Sequence, residues 1–307
     1  MQSVQYYRCV LHPERTLILN RVAIITDTNS GMTVEEASRN GIFLIPMPFN
    51  IDGETYYEGT TISFDEFYEK QTSGASISTS QPSPAEVMKM WDDVLKEYDE
   101  AVYIPMSSGL SGSYQTSYLL SQEDAYDGRI FVVNNQRISV TQKRSALDAH
   151  EFASHGRSAK EICDYLESVK MESSIYIMLD TLTYLMRGGR ITPAAAALGN
   201  LLRLKPVLQI QGEKLDAFAK ARTTSQGISI MISAMKKDIE ERFGNDRHNV
   251  WLYIAHTRNE ESAKALRAEV LTIYPDLEIE ICELPLSIGC HIGPGALAIA
   301  CSRKENF

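Results

Sequence analysis

At 307 residues, with 44% hydrophobic and 23% charged side chains, the chain is long for one core and has the composition of an ordinary globular protein. A net charge of −10 argues against general binding to nucleic acid or to anionic membranes, because phosphate backbones attract basic faces. The five scattered cysteines (Cys9, Cys163, Cys282, Cys290, Cys301) include no C-x-x-C pair, which argues against a disulfide framework or a zinc site and fits a reducing cytoplasm.

Residues 1–20 lack the apolar centre of a signal peptide and read as an N-terminal extension; no apolar run approaches the roughly 18 residues of a membrane span, so stable membrane insertion is not expected. Val22-Ala23-Ile24-Ile25 reads as a buried strand that ends in the polar cluster Thr26 to Gly31. A helix follows from the capping pattern Thr33-x-x-Glu36 and stops at Gly41. Phe43 to Phe49 is a second apolar run. Ser63-x-x-Glu66 opens a short helix, and Ser83-Pro84-Ala85-Glu86 a longer one with proline at its favoured first position. A strand over residues 101–106 leads into the turn Ser107 to Ser113, a helix begins near Tyr114, and Ile130 to Val133 is the next strand. Ser158-x-x-Glu161 caps a further helix.

Strands alternating with helices at this spacing predict a parallel sheet covered on both faces, with ligands bound outside the carboxyl ends of its strands. Asp27, Thr28 and the Ser107 to Ser113 turn then share one rim. Beyond Lys170 the order is less regular: a strand at 174–179, a short helix at 182–186 broken by Arg187-Gly188-Gly189-Arg190, and a helix at 194–202. A strand pair about Gly212, a long helix at 224–243, a strand at 249–255, a helix at 262–271 and a strand at 278–282 complete it. Between Arg187 and Arg222 seven basic residues stand against two acidic ones, in a chain that is acidic overall. This stretch reads either as ordinary solvated faces or as a docking patch for an acidic or phosphate-bearing partner.

The turn Ser107-Ser108-Gly109-Leu110-Ser111-Gly112-Ser113 is a candidate anion site. Amides at a helix start lack intrahelical partners, glycines admit a ligand close to the backbone, and the hydroxyls of Ser111 and Ser113 add donors.

Four phrases, in this order, resemble the DegV family of bacterial fatty-acid-binding proteins: Thr79-Ser80-Gln81-Pro82-Ser83, Ser108 to Ser113, Leu185-Met186-Arg187-Gly188-Gly189-Arg190-Ile191, and His291-Ile292-Gly293-Pro294-Gly295-Ala296, together with Ile25-Thr26-Asp27-Thr28. The resemblance spans residues 22–303. It implies an α/β fold of two domains: an α/β/α three-layer parallel-sheet domain, placed at 21–170, and a second α/β domain with a mixed sheet, placed at 171–307. It also implies a single long-chain fatty acid in a buried tunnel, with Thr79, Ser111 and His291 at the carboxylate and Asp27, Thr28, Ser80, Gly112 and Ser113 in the surrounding shell. The partner it implies is a fatty acid kinase that phosphorylates the presented carboxylate to an acyl phosphate for phospholipid synthesis, with Arg187, Arg190 and Arg222 as docking candidates. The chain itself is then a carrier, not an enzyme, and needs no cofactor or metal. The residues Asn134-Asn135-Gln136-Arg137 depart from the more acidic, hydroxyl-rich phrase usual in the family.

The residues themselves support this chemistry. A buried carboxylate is costly unless several donors meet it, and neutral donors suit a carrier that must hold both a carboxylate and an acyl phosphate. Burying about fifteen methylenes contributes on the order of 12 kcal/mol before entropic losses, so the tail supplies affinity and the head register. The rival reading is a serine hydrolase acting on lipid esters, with Ser111 as nucleophile, His291 as base and Asp27 as the orienting acid. Against it, Gly109-Leu110-Ser111-Gly112-Ser113 is not a G-x-S-x-G elbow. A nucleotide-binding kinase is disfavoured because no G-x-x-x-x-G-K-[ST] occurs.

Overall fold

The computed structural model describes residues 21–58, 60–196 and 204–305. The predicted N-terminal extension, the end of the 194–202 helix and Arg203 lie outside the described residues.

Thirteen strands are described: β1 (Val22–Asp27), β2 (Ile42–Ile45), β3 (Pro48–Ile51), β4 (Glu54–Tyr57), β5 (Ile77–Thr79), β6 (Glu100–Ile104), β7 (Ile130–Val132), β8 (Ser173–Met178), β9 (Lys205–Ile210), β10 (Leu215–Ala221), β11 (Val250–His256), β12 (Ile279–Glu283) and β13 (Leu297–Arg303). They form a parallel sheet in the order β2-β1-β6-β7, a six-stranded sheet in the order β10-β9-β8-β13-β11-β12, and a three-stranded sheet β4-β3-β5. The six-stranded sheet is mixed, with β11 and β12 parallel and the other pairs antiparallel.

Alternation along β1 explains the layering of the parallel sheet, since successive side chains leave a strand on opposite faces. Ile24 packs with Ala146, Ala149, Ile162 and Leu166 of the helices Ser139–Ser154 and Ala159–Ser168. Ala23 and Ile25 face Val87, Met90, Trp91 and Val94 of the helix Pro84–Val94 on the other side. The result is the expected α/β/α arrangement.

The mixed sheet is asymmetric. Tyr176 and Met178 of β8 and Ile299 of β13 pack on the helices Thr224–Glu241 and Glu260–Ile273. Ile175, Ile177, Ala298 and Ala300, one residue out of phase, face the opposite side with Ile138, Val140 and Leu185. That second face turns towards the parallel-sheet layer. Lys143 joins the layers: 2% exposed, its Nζ lies 2.6 Å from Glu36 and 2.7 Å from Glu280 on β12.

The capping boxes at Ser63, Ser83 and Ser158 form as the sequence predicts, with Glu66, Glu86 and Glu161 bonded back to the cap amides. Several elements differ from the sequence reading. The apolar run 43–49 divides at Pro46 into β2 of the parallel sheet and β3 of the small sheet, because each proline lacks the amide a continuous ladder needs. The helix Ser139–Ser154 was not predicted. It begins after Ile138 with no side-chain cap and buries Thr141, Gln142, Lys143, Ser145 and Asp148, so it shows neither a start signal nor an apolar stripe. The helix Leu286–Ile292 and β13 were also missed.

Candidate functional site

The carboxyl ends of β1 and β6 lie side by side, and there the serine-rich turn divides its work. Its first half docks onto the mixed sheet. Ser107 Oγ donates to Glu213 O at 2.7 Å, and a Cβ on Gly109 would lie 2.6 Å from both Glu213 Cβ and Glu213 O, so only glycine fits against the hairpin between β9 and β10. Its second half faces a cavity. Ser111 Oγ accepts from Ser113 N at 3.2 Å and lies 2.8 Å from Ser113 Oγ, a pair in which either hydroxyl can donate; with Ser113 as donor, the Ser111 hydrogen is free to point at a ligand.

The cavity has a volume of about 270 Å³ and runs between the turn and the inner face of the mixed sheet. Thr79, Ser80, Ser111, Gly112 and His291 line it, together with a long apolar wall that includes Ile138, Val140, Ile175, Ile177, Ala298 and Ala300. Such a wall with a few convergent polar groups is the usual make-up of a small-molecule site.

Thr79, at the end of β5, lies 2.8 Å through Oγ1 from His291 Nε2. The helix Leu286–Ile292 positions His291, and the carboxylate of Glu58 receives the first amide of that helix, Leu286 N, at 2.6 Å. Burial, reinforced by Glu283, pushes the Glu58 carboxyl up to about 7. His291 Nδ1 is buried without a partner against Gly188, where a Cβ would lie 2.2 Å away. Burial, and then the nearby charge of Arg190, push the imidazole down to about 4, so it is neutral near pH 7. With its proton on Nε2, His291 donates to Thr79 and leaves the threonine hydroxyl free to donate into the cavity.

Asp27 and Thr28 do not line the cavity; they support residues that do. Asp27 accepts from Met106 N at 2.9 Å, from Asn29 N at 3.0 Å and from Gln142 Nε2 at 3.1 Å, while Thr28 Oγ1 accepts from Met47 N at 3.0 Å. Asn29, Met47 and Met106 all face the cavity. Burial outweighs these bonds and raises the Asp27 carboxyl to about 6. Ser113 likewise acts through Ser111. Arg190 borders the cavity, whereas Arg187 and Arg222 are exposed and lie away from its lining.

Four polar lining residues, Asn29, Gln81, Ser139 and Ser287, stand outside the set the sequence predicts. Asn29 accepts from Ser287 Oγ at 2.6 Å, and Gln81 donates to Thr116 Oγ1 at 2.9 Å. Asn29 and Gln81 stand inside phrases the sequence had singled out. Ser287 carries no local signal. Among the described residues no group of three or more His, Cys, Asp or Glu is placed to hold a metal ion, and no helix is long and apolar enough to cross a membrane.

The hydrolase arrangement does not form. Ser111 is bonded to Ser113, His291 to Thr79, and Asp27 to backbone amides and Gln142, so no hydrogen bond links the three.

The fold is thus that of an α/β protein in which a parallel sheet and a mixed sheet flank an apolar cavity with a hydroxyl-rich end. Residues 21–304 match the family described as an uncharacterised protein, DegV family, and the chain belongs to the DegV family. Protein DegV of Bacillus subtilis is 30% identical over 281 residues, covering 91% of this chain and 98% of the relative. The crystal structure of DegV from that organism, described as a fatty acid binding protein, superposes with a TM-score of 0.80 at 29% identity and covers 92% of this chain and 99% of the other. A DegV family protein from Thermus thermophilus, described by its fatty acid binding, superposes with a TM-score of 0.84 at 30% identity and covers 92% and 100%.

Proposed function

We propose that the chain binds a single long-chain fatty acid in this cavity, its tail against the inner face of the mixed sheet and its carboxylate at Thr79, Ser111 and His291. The observation that carries the reading is the cavity's composition: an apolar wall ending in hydroxyls whose hydrogens can be turned to an anion. The fatty acid binding described for the Thermus and Bacillus proteins supports it. In the fuller form of the proposal the protein is a cytoplasmic carrier that presents the carboxylate to a separate fatty acid kinase. A carboxylate oxygen attacks the terminal phosphorus of a nucleoside triphosphate held by the kinase. The new P–O bond forms as the bond to the diphosphate breaks, and the acyl phosphate goes on to phospholipid synthesis. The neutral donors suit that role because they hold the carboxylate without an ion pair that would quench its nucleophilicity. The exposed cations Arg187 and Arg222 are the proposed docking contacts.

Solvent extraction of natively purified protein, followed by mass spectrometry, tests the first part. One fatty acid per chain is expected; a lipid-free preparation that takes up neither palmitate nor oleate overturns the reading. For the second part, Arg187→Glu and Arg222→Glu are expected to lower kinase-coupled turnover while lipid occupancy stays unchanged, and equal loss of both removes the docking role.

A further inference from the structure

Three polar side chains interrupt the apolar wall of the cavity and make no hydrogen bond to Thr79, Ser111 or His291: Asn29, Ser139 and Ser287. They come from the turn Thr28–Ser30 after β1, from the start of the helix Ser139–Ser154 and from the first turn of the helix Leu286–Ile292. The turn packs against both helices. Asp27 Oδ1 accepts from Asn29 N at 3.0 Å and from Gln142 Nε2 at 3.1 Å, which ties Asn29 to the helical turn that Ser139 begins. Exposure is only 2% at Asn29, 4% at Ser139 and 6% at Ser287, so water outside the protein does not satisfy them.

Their hydrogen-bonding capacity is only partly used. Ser287 Oγ donates to Asn29 Oδ1 at 2.6 Å and keeps its lone pairs. Asn29 Nδ2 has two hydrogens to give, and among the described residues it meets only the thioether of Met106 at 3.0 Å, a weak acceptor. Ser139 Oγ is buried, and no described group bonds it. No side chain caps the helix that Ser139 begins, so its first amides lack a side-chain acceptor as well. Ser139 also holds a left-handed backbone, φ 55°, a strained conformation for a residue with a side chain.

Buried polar groups are costly when unbonded, and a plain alkyl chain laid along this wall has no atom to offer them. We propose that Asn29, Ser139 and Ser287 form a second polar subsite, one that recognises a hydroxyl on the acyl chain, so that hydroxylated fatty acids are preferred over plain ones. A hydroxyl suits the three because it both accepts and donates. Its oxygen accepts from Asn29 Nδ2 and Ser139 Oγ, and its hydrogen goes to a lone pair of Ser287 Oγ. Ser287 precedes His291 by one turn of the same helix, about 6 Å of rise, so the oxygen belongs on the carboxyl side of the chain's midpoint. This rests on the fatty-acid reading of the cavity and names the kind of fatty acid.

Displacement of a fluorescent fatty acid tests the subsite, with stearate as the reference and stearates hydroxylated at carbon three, six, nine or twelve as probes. In the wild type at least one of the first three hydroxy acids is expected to bind about tenfold more tightly than stearate, and the fourth to gain less. Ser139→Ala should keep stearate within about twofold and reduce the hydroxyl preference to about twofold or less. Ser139→Gly, which accommodates the left-handed backbone without strain, should give the same loss of preference and serves if the alanine variant does not fold. No gain for any of the first three hydroxy acids, as when water already satisfies Ser139, overturns the subsite. A gain that survives in the folded Ser139 variants overturns it too. Either result leaves the fatty-acid reading standing if stearate binds, and a wild type that binds neither stearate nor any hydroxystearate overturns both.

Discussion

The tail end of the cavity is walled by the faces of regular strands, Ile175 and Ile177 from β8 and Ala298 and Ala300 from β13. Its head end gathers side chains from the ends of elements in different parts of the fold: Thr79 from β5 of the small sheet, Ser111 from the turn after β6, and His291 from the helix Leu286–Ile292. Strand faces give a continuous apolar surface whose contribution scales with area and depends weakly on any one side chain. Element ends give hydroxyls and amides whose direction matters more than their area. The difference separates affinity from placement.

The contrast can be broken most strongly at the tail. Ala298 pairs with Ala255 and Ile177 in the sheet, and Ala298→Leu fills space in the cavity that three or four methylenes would otherwise occupy. The expected loss is about 3 kcal/mol, roughly 100-fold, for palmitate and much less for decanoate. Displacement of a fluorescent fatty acid by the two chain lengths checks it, and equal losses would show that Ala298 does not bound the tail.

At the head, Thr79→Ala and Ser111→Ala each remove one hydroxyl, and each should cost about 1–2 kcal/mol, roughly 5- to 30-fold, for every chain length alike. The same displacement assay sharpens the comparison, since a head effect that grew with chain length would mean the ends are not independent.

The smallest expected effect on ligand affinity, under about threefold, is that of Asp27→Asn, because Asp27 does not line the cavity and reaches it through Asn29 and Met106. Its signature is in stability. The folded carboxyl titrates near 6, above its ordinary 3.8, so the folded protein holds the proton more tightly than the unfolded chain. The stability Asp27 contributes is therefore fully present below pH 3.8 and is lost as pH rises to 6. Urea midpoints measured from pH 4 to 7 should fall more steeply in the wild type than in Asp27→Asn, and parallel curves would contradict the buried titration.

Much of this architecture is legible in the sequence where the cause is local. Ser63, Ser83 and Ser158 announce their helices because a hydroxyl and a glutamate three residues on satisfy the first amides in any context. The rim shared by Asp27 and the serine turn follows from strand order alone. What the sequence hides is the direction of side chains. Nothing near Asp27 shows that its carboxylate turns inward to Met106 N, or that Ser107 and Gly109 grip Glu213 while Ser111 faces the cavity. The helix Ser139–Ser154 is hidden for the opposite reason: its buried side mixes alanines with polar side chains, because Lys143 and Gln142 meet partners distant in the chain.

The bond between Thr79 and His291 joins residues 212 positions apart. During synthesis the hydroxyl and the serine turn leave the ribosome long before the imidazole does, so the head of the cavity cannot close until the Leu286–Ile292 helix has been made. A chain stopped short of the Leu286–Ile292 helix would present an open apolar trough with nothing to fix a carboxylate in register. Ligand retention is therefore a readout of chains that include the Leu286–Ile292 helix, and a ligand held at this head stabilises only those chains.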